Sequence, residues 1–150
     1  MTDRLSPHFA LAELTRTATG LPNTPTAEHL AALTALCSTL LEPVRARFGP
    51  VSIHSGYRSA AVNAKIGGST TSQHMRGEAA DFHVPGVALE TVYRWIVTES
   101  GLRFGQVILE GHTVGEPTWI HLSLGEPWRV GSSCRQALTF DGSRYLAWRG

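Results

Sequence analysis

The sequence predicts a domain that mixes helices with strands, and three observations carry that reading. Apolar residues recur at helical spacing through residues 26–48, residues 51–55, 79–84 and 118–124 alternate with period two, and Gly- and Pro-rich turns punctuate the chain between such runs. At 150 residues the chain suits one domain, residues 1–150, with a core of its own.

Taken in order, residues 8–14 read as a short helical segment with Phe9, Leu11 and Leu14 on its apolar side, and residues 15–25, rich in Thr, Pro and Gly, as a loop. Thr26 is placed to cap the main core helix, with Glu28 in its first turn. Leu30, Leu33, Cys37, Leu40, Leu41 and Val44 then mark its buried face up to Phe48, where Gly49-Pro50 closes it. Pro43 lacks an N–H and should kink or divide this helix. Residues 51–55 form a short strand, Gly56-Tyr57-Arg58-Ser59 turns out of it into a small helix over 60–66, and residues 67–71 make a flexible approach to His74. A strand over 79–84 leads through Pro85-Gly86 into a helix over 89–97, whose Leu89, Val92, Tyr93 and Ile96 share a face. Residues 104–110 and 118–124 form a hairpin. From Glu126 the tail spaces Trp128, Leu138, Phe140, Tyr145 and Trp148 irregularly, which predicts a loop or short strands and points to no function.

Charge and composition exclude several classes. Thirteen Lys and Arg against twelve Asp and Glu leave a formal +1 with no basic run, so a nucleic-acid partner is not expected. No apolar stretch is long enough to span a bilayer, and Met1 to Pro7 lack the basic and apolar segments of a signal peptide, so cytoplasmic synthesis without membrane insertion is expected. Cys37 and Cys134 have no metal-type spacing and read as reduced thiols. A monomer is expected.

The chemistry gathers on Ser72-Gln73-His74-Met75-Arg76-Gly77-Glu78-Ala79-Ala80-Asp81-Phe82. A loop carrying His74 and reversed at Gly77 runs into a strand that turns Ala79, Asp81 and His83 to one face and Ala80, Phe82 and Val84 to the other. Alternation in Thr118-Trp119-Ile120-His121-Leu122-Ser123-Leu124 buries Ile120, Leu122 and Leu124 and turns Trp119, His121 and Ser123 outward. Two imidazoles and a carboxylate, His74, Asp81 and His121, are what a catalytic Zn2+ site needs when its fourth position is left to water. His83 shares Asp81's face and reads as a supporting group or a substitute ligand; His54, His8 and His29 read as ordinary surface residues.

Ser72-x-His74-x-x-Gly77-x-Ala79-x-Asp81 followed by Trp119-Ile120-His121 resembles the zinc D-Ala-D-Ala carboxypeptidase family, especially its short branch common in phages and prophages. Ser55-Gly56-Tyr57-Arg58-Ser59, Asn63, Gly67-Gly68 and Phe9-x-Leu11-x-Glu13-Leu14 extend the likeness over most of the chain, from Phe9 to Ser123. The resemblance implies an α+β fold of the hedgehog/DD-peptidase-like kind, with a single antiparallel sheet flanked by helices. It also implies a zinc ion and hydrolysis of amide bonds in peptidoglycan stem peptides; with no signal peptide expected, such an enzyme would reach the wall after cell lysis or phage delivery.

A zinc peptidase needs a base to move protons. Relatives often carry an acid three residues before the last histidine ligand, where this chain has Thr118. The hairpin offers Glu110 in its stead, across the ladder from Thr118 or Trp119, with Glu116 as the second candidate. Arg58 suits a substrate carboxylate, the role its motif has in relatives. Ser72 is expected to support the site or substrate, His112 in the hairpin loop to contact substrate, Trp119 to shape the pocket wall, and Gln73 to contribute an amide. The rival reading, held open by Thr118, is a non-catalytic zinc-stabilised binding or structural module such as a phage particle component.

Overall fold

Thr26 starts the main helical run because its hydroxyl can accept the N–H of His29, while the His29 ring accepts the Thr26 N–H in return. The computed structural model describes residues 3–110, 118–125 and 134–150. In it the run from Ala27 to Phe48 falls into three pieces: α2 (Ala27–Leu36), a π-helical turn (Cys37–Leu41) and α3 (Glu42–Phe48). Pro43 explains the break. It gives no N–H to the preceding turn, and the helix widens just before it, Glu42 N–H reaching back five residues to the Cys37 carbonyl.

Ahead of this run, β1 (Arg4–Ser6) pairs with β2 (Phe9–Ala10) in a small antiparallel ladder, and α1 (Leu11–Thr15) follows. The helix expected from residue 8 begins at Leu11, because the Glu13 carboxylate accepts the Ala10 N–H at 2.8 Å and fixes the first turn there. Glu42 ties this segment to α3 by accepting from Ser6 Oγ at 2.6 Å and from the His8 N–H at 2.8 Å.

The remaining elements are β3 (Ser52–Ser55), α4 (Ala60–Lys65), a 3-10 turn (Gln73–Arg76), β4 (Ala79–His83), α5 (Leu89–Thr98), β5 (Phe104–Glu110), β6 (Trp119–Leu124), β7 (Gln136–Phe140) and β8 (Tyr145–Ala147). Six strands form one sheet in the order β3-β4-β6-β5-β7-β8. The class is α+β. All pairs are antiparallel except β5 with β7, where the resemblance implies an antiparallel sheet. The reason is where β6 ends: Leu124 lies opposite Phe104, and β7 begins at Gln136 opposite Gln106, so a strand started at that end of β5 runs the way β5 runs.

One sheet face is the core. Ala80, Phe82, Ile120, Leu122, Val107 and Leu109 are buried there with Leu33, Leu40 and Val44 of the divided helix and Val92, Tyr93 and Ile96 of α5. Register decides the other face. Asp81 stands opposite Ser55 on one side and His121 on the other, His121 opposite Ile108, and Ile108 opposite Leu138, so these residues cross the sheet in one row. Among the described residues no helix is long and apolar enough to cross a membrane. Cys37 and Cys134 are free thiols, and burial pushes Cys37 up to about 12.

Candidate metal centre

Two of the three predicted ligands are neighbours by strand pairing alone. Asp81 on β4 and His121 on β6 face each other in the ladder, and His121 Nδ1 lies 3.0 Å from Asp81 Oδ1. His74 arrives from the 3-10 turn, where Ser72 Oγ accepts the His74 N–H at 3.2 Å and Gly77 ends the turn in the left-handed conformation, φ 74°. A Cβ at Gly77 would also stand 2.7 Å from the His29 carbonyl oxygen, so glycine is required there twice over. The turn brings His74 Nε2 to 3.2 Å from Asp81 Oδ1.

Tautomers follow from the outer partners. The Gly56 carbonyl only accepts, so the contact of 2.7 Å puts the hydrogen on His74 Nδ1 and leaves Nε2 with a lone pair towards Asp81. His121 Nε2 faces Gln73 Oε1 at 3.4 Å and Nδ1 faces the same carboxylate oxygen, so with its hydrogen on Nε2 the ring turns the Nδ1 lone pair into the cluster. Three ligand atoms that meet at one buried point make a place that could hold a cation. A tetrahedral ion with bonds of about 2.0–2.2 Å holds its ligand atoms about 3.3–3.6 Å apart, near the 3.2 Å and 3.0 Å that separate His74 Nε2 and His121 Nδ1 from Asp81 Oδ1. His74, Asp81 and His121 are all buried, their ligand atoms lie within 4.8 Å of one another, and they are the one such group among the described residues. The set fits a metal ion, and each imidazole has the outer hydrogen bond that orients a ligating ring.

Burial alone would raise the Asp81 carboxyl. The two imidazoles that face it, His74 foremost, outweigh that and hold the group well below the usual carboxylate range. Arg58 adds a partner, its Nη2 lying 3.4 Å from Asp81 Oδ2, while Nε donates to Ser55 Oγ at 3.0 Å and Nη1 lies 3.4 Å from Asn63 Oδ1.

The row of residues opens into a cleft of about 780 Å³ lined by Arg58, Ser72, His74, Glu110 and His121, with Gln136, Leu138 and Tyr145 on the far side. Glu110 pairs with Trp119 in the ladder, and the Trp119 indole N–H donates to Glu110 Oε1 at 3.2 Å. Thr118 contributes its backbone N–H to the Glu110 carbonyl. Trp119 itself lines an adjoining cavity of about 300 Å³ with His54, Ser55, Arg58 and Asp81. His112 and Glu116 lie outside the described residues. His83 stays out of the cluster, its Nδ1 lying 2.6 Å from His54 Nε2.

Sequence reasoning missed the Gly56 carbonyl, Ser55 and Asn63 as supports, although all sit in or beside the quoted Ser55-Gly56-Tyr57-Arg58-Ser59 stretch. It also gave the tail no role, yet β7 and β8 form a wall of the cleft, for which no periodic signal existed. The family model described as Peptidase M15 matches residues 7–123, which takes in all three candidate ligands, Arg58 and Glu110. No curated protein matches the chain.

Proposed function

The chain belongs to the peptidase M15 family, and from that premise we propose that it is a zinc peptidase hydrolysing amide bonds in the stem peptides of peptidoglycan. One observation carries the reading: two histidines and an aspartate bring their ligand atoms within 4.8 Å of one another, buried, and the two histidines line a cleft that also holds a carboxylate and a guanidinium. When bound by His74, Asp81 and His121, Zn2+ supplies a Lewis acid for the scissile carbonyl and makes water a nucleophile near neutral pH.

The chain's own residues do the rest. Glu110 takes the proton from the attacking water and passes it to the leaving amine; its carboxylate has acceptor positions left after the bond from Trp119. Arg58 holds the substrate's carboxylate. Three of its five N–H groups are directed to Ser55, Asn63 and Asp81, which fix the plane of the guanidinium, and two remain beside the cleft that Arg58 lines. Ser72 keeps the His74 turn in shape. Zinc is the metal chosen because two imidazoles and one carboxylate form a known catalytic zinc set.

Incubating muropeptides with the zinc-loaded protein and with its Glu110→Gln and His121→Ala variants, then weighing the fragments, tests this. Cleavage by the wild type and loss in both variants is expected. Undiminished cleavage by Glu110→Gln removes that residue as base, and no cleavage of any stem peptide by the wild type returns the advantage to a non-catalytic zinc module.

A further inference from the structure

The matched family region ends at residue 123, and the strands that follow it reach back to the presumed base. β8 pairs with β7 so that Tyr145 stands opposite Phe140, and the Tyr145 ring rests on Phe140 with centroids 4.7 Å apart. From there the phenol crosses the parallel strand towards β5 and donates to Glu110 Oε2 at 3.3 Å, while Trp119 occupies Oε1. Each carboxylate oxygen thus has one donor from a different strand, β6 on one side and β8 on the other.

We propose that the β7–β8 hairpin completes the catalytic cleft and that Tyr145 is a positioning residue, its hydroxyl clamping the Glu110 carboxylate against the Trp119 indole. The catalytic half of this inference rests on the reading of Glu110 as general base. A carboxylate held by a single donor on one oxygen is free to swing about its last torsion, which is broad and soft; a second donor on the other oxygen removes that freedom. The neighbouring wall matches a peptide's needs: Ile108 and Leu138 form an apolar floor, and the Gln106 amide donates to Gln136 Oε1 at 2.9 Å beside it. Burial, and then the charge of Glu110, push the Tyr145 phenol up, so it remains a donor across the neutral range.

The test is Tyr145→Phe, which keeps the ring on Phe140 and removes one hydroxyl from a side chain that is 54% exposed. Its first readout needs no catalysis. The four tryptophan indole N–H signals of the 15N-labelled protein are recorded, that of Trp119 being assigned by its absence in Trp119→Phe. In Tyr145→Phe the Trp119 signal is expected to shift, because its acceptor has been freed, while signals from the other tryptophans stay in place. The second readout is kinetic: kcat falls about three- to tenfold with KM nearly unchanged, as fits the loss of one hydrogen bond. In a Glu110→Gln background the same change adds nothing. An unmoved Trp119 signal overturns the clamp. A moved signal with unchanged kcat overturns its catalytic role, and if the wild type cleaves no stem peptide the proposed function fails while the spectrum still decides the contact.

Discussion

Gly56 supports the candidate metal site through its backbone, and Gly56→Ala is the sharpest test of that support. A Cβ there would lie 2.4 Å from the Leu14 carbonyl oxygen and 2.8 Å from Leu14 Cδ1, against the 3.4 Å at which ordinary contact begins. Leu14 is fully buried, and its carbonyl accepts the Tyr57 N–H at 2.7 Å, so it has no room to yield and Gly56 must move by about 1 Å. The Gly56 carbonyl holds His74 Nδ1 at 2.7 Å, and a displacement of that size along the bond takes it out of hydrogen-bonding reach. Two effects follow from one methyl group. Overpacking should destabilise the fold by about 1–3 kcal/mol, a fall in Tm of about 2–12 °C for a chain of this length. Loss of the orienting carbonyl should weaken zinc about 10- to 100-fold. Thermal unfolding of the metal-free protein reads the first, and competition against a chromophoric chelator reads the second. A variant that melts lower but binds zinc as tightly as the wild type refutes the coupling of Gly56 to His74; one unchanged in both refutes the packing argument as well.

Three further outcomes are expected. Zinc held at a hundredfold excess over its dissociation constant should add about 2.7 kcal/mol to stability, or about 5–11 °C in Tm, and a chelator should reverse the gain; a Tm indifferent to zinc means that His74, Asp81 and His121 hold no ion. Arg58→Lys keeps the charge but loses the planar fork, and should lower kcat/KM about tenfold to a hundredfold on substrates with a free carboxylate. Capping that carboxylate as an amide should erase the difference, and an equal loss on both substrates would point to a structural ion pair with Asp81 instead. Glu42, which burial alone would raise, is held below its ordinary value by hydrogen bonds from Ser6 and His8. A carboxyl depressed in the folded state contributes stability above its unfolded pKa and loses it as pH falls through the folded one. Glu42→Gln should therefore unfold at lower urea than the wild type at pH 7, with the gap narrowing as pH falls below the ordinary carboxylate range; a gap of constant size down to acid pH would mean that charge plays no part.

What the sequence by itself determined is whatever depends on neighbours along the chain. Thr26 placed a cap, Pro43 broke a helix, Gly77 supplied a left-handed turn, and period-two alternation sorted Asp81 and His121 away from Phe82, Ile120 and Leu122. The convergence of His74, Asp81 and His121 was legible for that reason, since two strands with assigned faces and a turn with an assigned reversal nearly specify which side chains meet. Pairing and contacts distant in sequence were decided only by the tertiary structure. Nothing in Gly56 announces that its carbonyl orients a histidine 18 residues away. Nothing in residues 134–150 announces that β7 runs parallel to β5 and carries Tyr145 to Glu110. Such placements depend on which strand edge is open when the chain arrives, and that edge exists only once the rest of the sheet has formed.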